Sequence, residues 1–367
     1  MSDKVKLGII GVGQIGKMHL DKYRKLPVEM VAAADIDKGE LQRVAGEYGI
    51  SKTFSDFREL LKMEEIQAVD VCLHNNLHAP VTIAALEAGK HVYCEKPIAG
   101  TYVDGKAMLE AARKTGRMLS IQFFSLYSME TKAAQRLIEE GHLGDLYFAK
   151  SINYRRRGRP YVDGYGTSSF VQKEIAAGGA LFDMGVYHIA QILHLLGNPE
   201  VQTVSGATHQ AIPMYPDRQK NGKYDVEELG LGFVRLDGGV TFTIEESWAL
   251  HVGQEGQQSQ LFGSRGGVCL SPFSYHTTLA DMEMSGTFDL DSADTRWHRC
   301  LPNTDAYDGA QPHWVAALQG RVPLVDAAGI ALKTMQISEG IYLSQRLGRE
   351  VTPAEIDAES KSTAIDL

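Results

Sequence analysis

Three things are scarce in this chain, and each scarcity excludes something. Apolar runs are short, and none reaches the length that crosses a bilayer. The first residues enter a strand pattern directly, with no signal-peptide arrangement, so the expected location is the cytoplasm. Cysteine is rare: Cys72, Cys94, Cys269 and Cys300 lack the paired spacing of a disulfide framework or a zinc site. Cys72 and Cys94 fall in apolar strand-like runs, which predicts buried reduced thiols, and no metal is expected. Positive charge is short too. The 37 lysines and arginines face 46 acids, a net charge of −9 with no basic block, which excludes a nucleic-acid footprint. Internal repeats and low-complexity segments are absent. What remains is the composition of a soluble globular protein, 44% apolar and 23% charged, and 367 residues exceed one typical core, which predicts two domains.

The chain is organised around its opening. Val5 to Ile10 is an apolar, β-branched run that reads as a buried strand ending at Gly11. Gly11-x-Gly13-x-x-Gly16 follows, with Gln14 and Ile15 between the glycines, and the chain continues as a helix to Tyr23. In a dinucleotide fold the first glycine makes the tight turn, the second admits a pyrophosphate, and the third lets helix and strand pack closely. A second strand, Glu29 to Ala34, ends at Asp35, nineteen residues past Gly16, where an acid accepts hydrogen bonds from the adenosine ribose. Apolar Ile36 follows with no arginine, and a carboxylate there repels a 2′-phosphate, so NAD is expected rather than NADP. Lys38 is the residue nearest to an exception.

Further along, helices over Lys38–Tyr48, Asp56–Met63 (capped by Ser55 or Asp56), Ala79–Ala88 and Thr101–Thr115 are predicted. They alternate with strands over Ser51–Phe54, Ala68–Leu73, His91–Cys94 and Met118–Phe123. That alternation predicts an α/β, doubly wound parallel sheet over residues 1–123, a Rossmann dinucleotide-binding domain. Its ligand belongs at the carboxyl ends of the strands, where Gly11–Gly16, Asp35, Ile36, His74–His78 (with Asn75) and Glu95-Lys96-Pro97 all fall. From Phe124 the texture changes. After a helix over Thr131–Glu140, strands over Leu146–Tyr154, Val201–Thr208, Val226–Leu236, Val240–Ala249 and Gln258–Phe262 follow, most of them joined by turns rather than helices. Residues 124–350 are therefore an expected α+β domain with an open, mostly antiparallel sheet, closed by a helix over Ala327–Arg346. Residues 351–367 read as a polar tail, loose or packed on a neighbour.

Two stretches carry chemistry. Lys96 ends a sheet strand and projects toward the cleft. Asp183 and Tyr187 lie four apart in an apolar helical stretch and share one face, with His188 turned by about 100°. Past the strand at Tyr154, continued extended structure would put Arg155 and Arg157 on one side and Arg156 on the other; two arginine forks suit a carboxylate, sulfonate or phosphate on a sugar. Trp248 stacks on a sugar or packs the sheet. His313-Trp314 packs in a helix.

At these residues the chain resembles the glucose–fructose oxidoreductase, inositol dehydrogenase and rhizopine-catabolism (Gfo/Idh/MocA) family. The resemblance rests on Gly11-x-Gly13-x-x-Gly16, Asp35, Asn75-x-x-His78, Glu95-Lys96-Pro97 and Gly178-Gly179-x-x-x-Asp183-x-Gly185, and spans nearly the whole chain. It implies that Asn75, His78 and Glu95 line the nicotinamide side, that Pro97 follows a cis peptide, and that Lys96 is catalytic. It also implies homodimers or homotetramers built through the second domain's sheet. One departure matters. Where many sugar and inositol dehydrogenases of the family carry a histidine four residues after the aspartate, this chain has Tyr187, as do the glucose–fructose oxidoreductase and dihydrodiol dehydrogenase branches. Tyr187 is therefore the expected acid/base, its phenolate favoured by Lys96, and His188 is its competitor. His74 stands where members often have proline.

The expected activity is NAD-dependent oxidation of a secondary hydroxyl of a sugar, glycoside or cyclitol, an acidic sugar among them. Arg155, Arg157, Asp183, Tyr187 and His188 form the expected substrate side. The alternative is a glycosidase working through transient C3 oxidation and elimination, and a third reading is a non-catalytic dinucleotide sensor.

Overall fold

A computed structural model describes residues 4–367 of the chain. The first half alternates as the sequence pattern dictates: β1 (Val5–Ile10), α1 (Gln14–Tyr23), β2 (Val28–Ala34), α2 (Lys38–Tyr48), β3 (Lys52–Phe54), α3 (Phe57–Leu61), β4 (Ala68–Val71), α4 (Asn75–Glu87), β5 (His91–Cys94), α5 (Tyr102–Thr115) and β6 (Leu119–Ile121). The six strands pair in parallel in the order β3-β2-β1-β4-β5-β6, a Rossmann sheet whose order reverses beside β1. Local chemistry sets the helix ends. Asp37 caps α2, Asp56 caps α3, and Gly49 and Gly116 close α2 and α5 in the left-handed conformation.

Helix α4 starts at Asn75, four residues before the predicted Ala79, and carries Pro80 inside it. A proline there lacks the N–H that would bond the carbonyl of Asn76. The N–H of Ile365, from the end of the chain, donates to that oxygen instead, at 3.3 Å. Residues 351–367 pack along their own chain. Val351 bridges to Val204, and α13 (Pro353–Glu359) forms behind a Thr352/Glu355 capping box. The chain then crosses to the first domain, where Asp357 pairs with Lys106, Ser360 Oγ accepts from the N–H of Val103, and Asp104 accepts from that of Thr363.

The second domain contains α6 (Met129–Glu139), β7 (Leu146–Tyr154), α7 (Lys173–Ala176), a π-helical turn (Leu181–Gly185), α8 (Val186–Leu195), β8 (Val201–His209) and α9 (Pro216–Asn221). It continues through β9 (Leu229–Leu236), β10 (Thr241–Ser247), β11 (Gly256–Gln257), β12 (Gln260–Gly263), β13 (Gly266–Leu270), β14 (Phe273–Leu279) and β15 (Met282–Gly286). Helices α10 (Leu290–Cys300), α11 (Ala310–Leu318) and α12 (Ala327–Leu347) follow. Its strands run β15-β14-β13-β12-β7-β10-β9-β8, with β11 also on β7 and only β7/β10 parallel. This is the mixed, mostly antiparallel open sheet the turn pattern predicted. The last three strands were not predicted: β14 and β15 are largely exposed, so no buried alternation marks them. Helices α8 and α12 cover one face of the sheet around Phe242, Ile244 and Val204. Trp314 packs in α11, as expected for His313-Trp314.

Candidate active site

The glycine-rich turn is built so that only glycine fits twice and a ligand fits once. Gly11 has φ of 93°, and a Cβ on it would lie 2.3 Å from the Cys72 carbonyl oxygen. One on Gly16 would lie 2.2 Å from the Gly11 carbonyl oxygen, so α1 starts hard against the turn that ends β1. Gly13, by contrast, faces open space. It is also the N-cap of α1, which has no side-chain cap and no acid in its first turn. The helix therefore presents unsatisfied N–H groups and a positive dipole end to that space. Asp35 stands beside it, accepting from the N–H of Val12 at 2.8 Å and from that of Asp37 at 2.9 Å. Gln14, Ile15 and Ile36 are exposed around the mouth, Ile36 at 91%. These residues would hold a dinucleotide, with its pyrophosphate at the α1 N-terminus, its ribose hydroxyls at Asp35 and its adenine near Ile36.

On the other side of the switch point, β5 ends in Glu95-Lys96-Pro97, and the Lys96–Pro97 peptide is cis. Lys96 crosses the domain boundary. Its Nζ donates to Asp183 Oδ1 at 3.0 Å and to the Asp183 carbonyl at 2.9 Å. Burial works against this ammonium, but the Asp183 carboxylate outweighs burial and holds the lysine protonated, above its ordinary value. Asp183 answers in kind: burial favours its acid form, yet Lys96 keeps the carboxyl below its ordinary range. Trp248, fully buried at the end of β10, donates from Nε1 to Asp183 Oδ2 at 3.0 Å. It packs and orients; it is not a sugar platform.

Tyr187 lies with Lys96 Nζ 4.9 Å above its ring centre and Phe124 4.5 Å away. Burial, with the charges of Glu95 and Asp183, pushes the Tyr187 phenol up and outweighs the lowering by Lys96, whose Nζ lies over the ring, so these surroundings work against the expected phenolate. His188 is the next residue along α8. Its Nδ1 meets Glu246 Oε2 at 2.9 Å, and Glu246, fully buried, accepts from Ser151 Oγ at 2.7 Å on its other oxygen.

Several predicted contacts are braces rather than surfaces. His78 is buried, with Nδ1 and Nε2 against the carbonyls of Pro97 and Leu73, so it holds the Lys96–Pro97 turn from behind instead of lining the nicotinamide side. Glu95 is likewise buried. Asn75 donates to the Ala176 carbonyl at 2.7 Å and ties the two domains. His74, exposed, begins α4. The arginines do not alternate as predicted, because strand β7 ends at Tyr154 and the chain bends. Arg155 donates to Tyr165 Oη at 2.9 Å, and its charge reaches Asp183. Arg157 pairs with Asp163, which is committed to the buried Arg159.

Sequence reasoning missed four supporting residues. They are His19, Asp70, Glu227 and Glu246; Asp70, a charge between the buried apolar Val69 and Val71, carried a readable mismatch, and the other three lie beside polar or exposed residues and carried none. Glu227 accepts from the N–H groups of Gly179 and Leu181, at 2.8 and 2.9 Å, and anchors the turn that carries Asp183.

An open helix N-terminus beside a ribose-binding acid, with a lysine–aspartate pair across the cleft, defines a dinucleotide-dependent oxidoreductase acting on hydroxyl-bearing carbon. Residues 5–123 match the oxidoreductase family with NAD-binding Rossmann fold, and residues 131–269 match the GFO/IDH/MocA C-terminal domain. The chain belongs to this family. It is 28% identical over 358 residues to the D-glucoside 3-dehydrogenase of Escherichia coli, covering 95% of this chain and 98% of that one. It is 26% identical to the levoglucosan dehydrogenase of Pseudarthrobacter phenanthrenivorans over 84% of this chain and 83% of the relative. Among solved structures, an oxidoreductase domain protein from Kribbella flavida superposes with a TM-score of 0.81 at 21% identity, covering 95% of this chain and 99% of the other.

Proposed function

We propose that the protein oxidises a secondary hydroxyl of a sugar or glycoside, with NAD as the hydride acceptor. The observation that carries this reading is the Lys96–Asp183 pair, an ammonium and a carboxylate 3.0 Å apart at the carboxyl end of β5. Lys96 donates to the oxygen of the reacting hydroxyl and Asp183 accepts from a neighbouring one, which fixes the ring for transfer. Bound nicotinamide supplies the hydride sink. The proton needs an acceptor, and the inventory is short. Asp183 holds Lys96 above its ordinary value, burial raises the Tyr187 phenol, and Lys96 holds Asp183 below its ordinary range, so none of the three is a ready acceptor. His188, with Nδ1–H directed at Glu246, keeps a lone pair on Nε2 and is the proposed acceptor. Tyr187 is the second reading, favoured by its place beside Lys96. Loss of the true acceptor lowers kcat by about 10²–10⁴-fold, so Tyr187→Phe and His188→Asn separate the two.

The relatives' names, a D-glucoside 3-dehydrogenase and a levoglucosan dehydrogenase, support a glycoside as substrate. An acidic sugar is supported by Arg155 alone, since Arg157 is engaged by Asp163; unchanged affinity for such a sugar after Arg155→Ala rejects it. The Asp35 carboxylate supports NAD over NADP, and equal turnover with both contradicts that preference. Four unpaired thiols support the cytoplasm, and the open sheet face with exposed Phe233 and stacked Phe148 and Phe262 supports self-association. The deciding experiment is to denature the purified protein and identify released nucleotide by mass spectrometry, then assay NADH accumulation with methyl glucosides. Net NADH identifies the dehydrogenase. Stoichiometric retained NAD with glycoside cleavage and no net NADH identifies the redox glycosidase instead, and binding without any turnover identifies a sensor.

A further inference from the structure

His19 has no part in the chemistry above, yet it is among the most tightly held side chains in the first domain. It lies on α1, one turn past Gly16, with its side chain 3% exposed. Its Nδ1 is 2.8 Å from Asp70 Oδ2, at the end of β4, and its Nε2 is 2.7 Å from Glu95 Oε1, just past β5. A neutral imidazole has one N–H. With a carboxylate oxygen against each nitrogen, a neutral ring would press a lone pair onto an anion; only the doubly protonated ring satisfies both contacts. The rest of the pocket agrees. Cys72 Sγ donates to Asp70 Oδ1 at 3.3 Å, and the Tyr93 ring lies 5.8 Å from the imidazole. The other titratable groups nearby are Tyr23, which faces Asp70, and Lys96 and the buried His78, both beyond Glu95; burial lowers His78. Burial works against a charge on His19, but Asp70 and Cys72 together outweigh it and raise the imidazole well above its ordinary value.

Glu95 continues the line. Its other oxygen accepts the backbone N–H of Lys96 at 3.0 Å, and Lys96 Nζ reaches Asp183. One uninterrupted set of charge-assisted contacts therefore runs from the helix that receives the pyrophosphate to the acid that faces the sugar. We propose that His19 is a positioning residue: a buried imidazolium that locks helix α1 to the β5 end and thereby sets where Lys96 stands relative to the bound dinucleotide. Without it, Asp70 and Glu95 face each other with no cation between them, and Glu95 is free to take a proton and release the Lys96 turn.

This inference rests on the proposed role of Lys96, so its test includes readouts that need no substrate. Nitrogen-15 NMR of the full-length protein at pH 8 shows both His19 nitrogens protonated; a neutral tautomer there overturns the proposal. Zinc titration leaves that signal unchanged. Stoichiometric zinc on the His19, Asp70 and Cys72 trio, whose ligand atoms lie within 4.8 Å of one another, overturns it in favour of a metal site. His19→Gln lowers kcat with a methyl glucoside about 100-fold, the scale of a small misplacement of a reacting group, while NADH affinity by fluorescence changes less than about threefold. The double variant His19→Gln/Glu95→Gln removes the surplus charge, regains thermal stability and stays slow. Wild-type kcat in His19→Gln, or loss of turnover fully explained by lost folding and regained in the double variant, rejects the assignment. If the wild-type protein turns over no glycoside, the NMR and zinc results still decide the state of His19, while the reading of Lys96 fails separately.

Discussion

Two glycine-rich turns lead into helices in this molecule, and they end in opposite ways. At Gly11–Gly16 the N–H groups of α1 are left without a protein acceptor, and Gly13 looks onto open space. At Gly178–Gly185 the corresponding groups are filled from inside, since the buried Glu227 carboxylate takes the N–H groups of Gly179 and Leu181. A Cβ at Gly179 would sit 1.9 Å from the Glu227 carbonyl oxygen. Both turns need glycine for close approach. In the first, Gly13 is left facing open space; in the second, the segment ahead of β9 closes onto Gly179. The glycine pattern alone does not tell these apart, and the presence or absence of an internal acid does.

The comparison can be broken at several points. Asp183→Ala removes what the second turn exists to present, and kcat falls by about 10²–10⁴-fold with NADH affinity unchanged, measured by steady-state kinetics and fluorescence titration. Gly179→Ala forces a side chain into backbone and costs about 3 kcal/mol, read as a drop in the urea midpoint. Gly13→Ala leaves stability of the ligand-free protein unchanged but weakens NADH about tenfold, or about 1.4 kcal/mol, because the space it fills is the ligand's. If Gly13→Ala instead destabilises the free protein and spares NADH, the contrast between the turns is wrong.

The smallest effect is a pH slope. Burial raises the Glu227 carboxyl above its ordinary value of 4.5, against the lowering by the two N–H groups. The folded state therefore binds that proton more tightly than the unfolded chain. Its contribution to stability is full below 4.5 and is lost as pH rises through the folded value. Replacing Glu227 by Gln flattens this part of the stability profile, so the gap between variant and parent changes in the variant's favour from pH 4.5 upward in urea titrations.

Much of this was legible in the residues. Period-2 and period-3.6 patterning located the strands and helices of the first sheet because every one of them buries a face against its neighbours. Gly11, Gly13, Gly16 and Asp35 were legible because their spacing is local to one βαβ unit, and Lys96 because strand ends converge at a switch point. The start of α4 was misplaced because a proline reads as a helix boundary, and the Asn76 carbonyl it leaves unbonded is taken by Ile365, nearly three hundred residues away. Strands β14 and β15 were invisible because they bury too little to leave a pattern.

The protonation states lay beyond reach for a related reason. Sequence placed Lys96 near Tyr187 and inferred a phenolate, but the outcome depended on which part of the ring the ammonium faces and how deeply the phenol is buried. In the same way, Glu246 faces His188, Trp248 aims Asp183, and Asp70 and Glu95 flank His19 from β4 and the end of β5. The sequence by itself determined the class of chemistry, because a dinucleotide turn and a lysine at a strand end are short-range features. Only the tertiary structure decided which groups carry protons, because that is set by desolvation and by partners brought from other strands and helices.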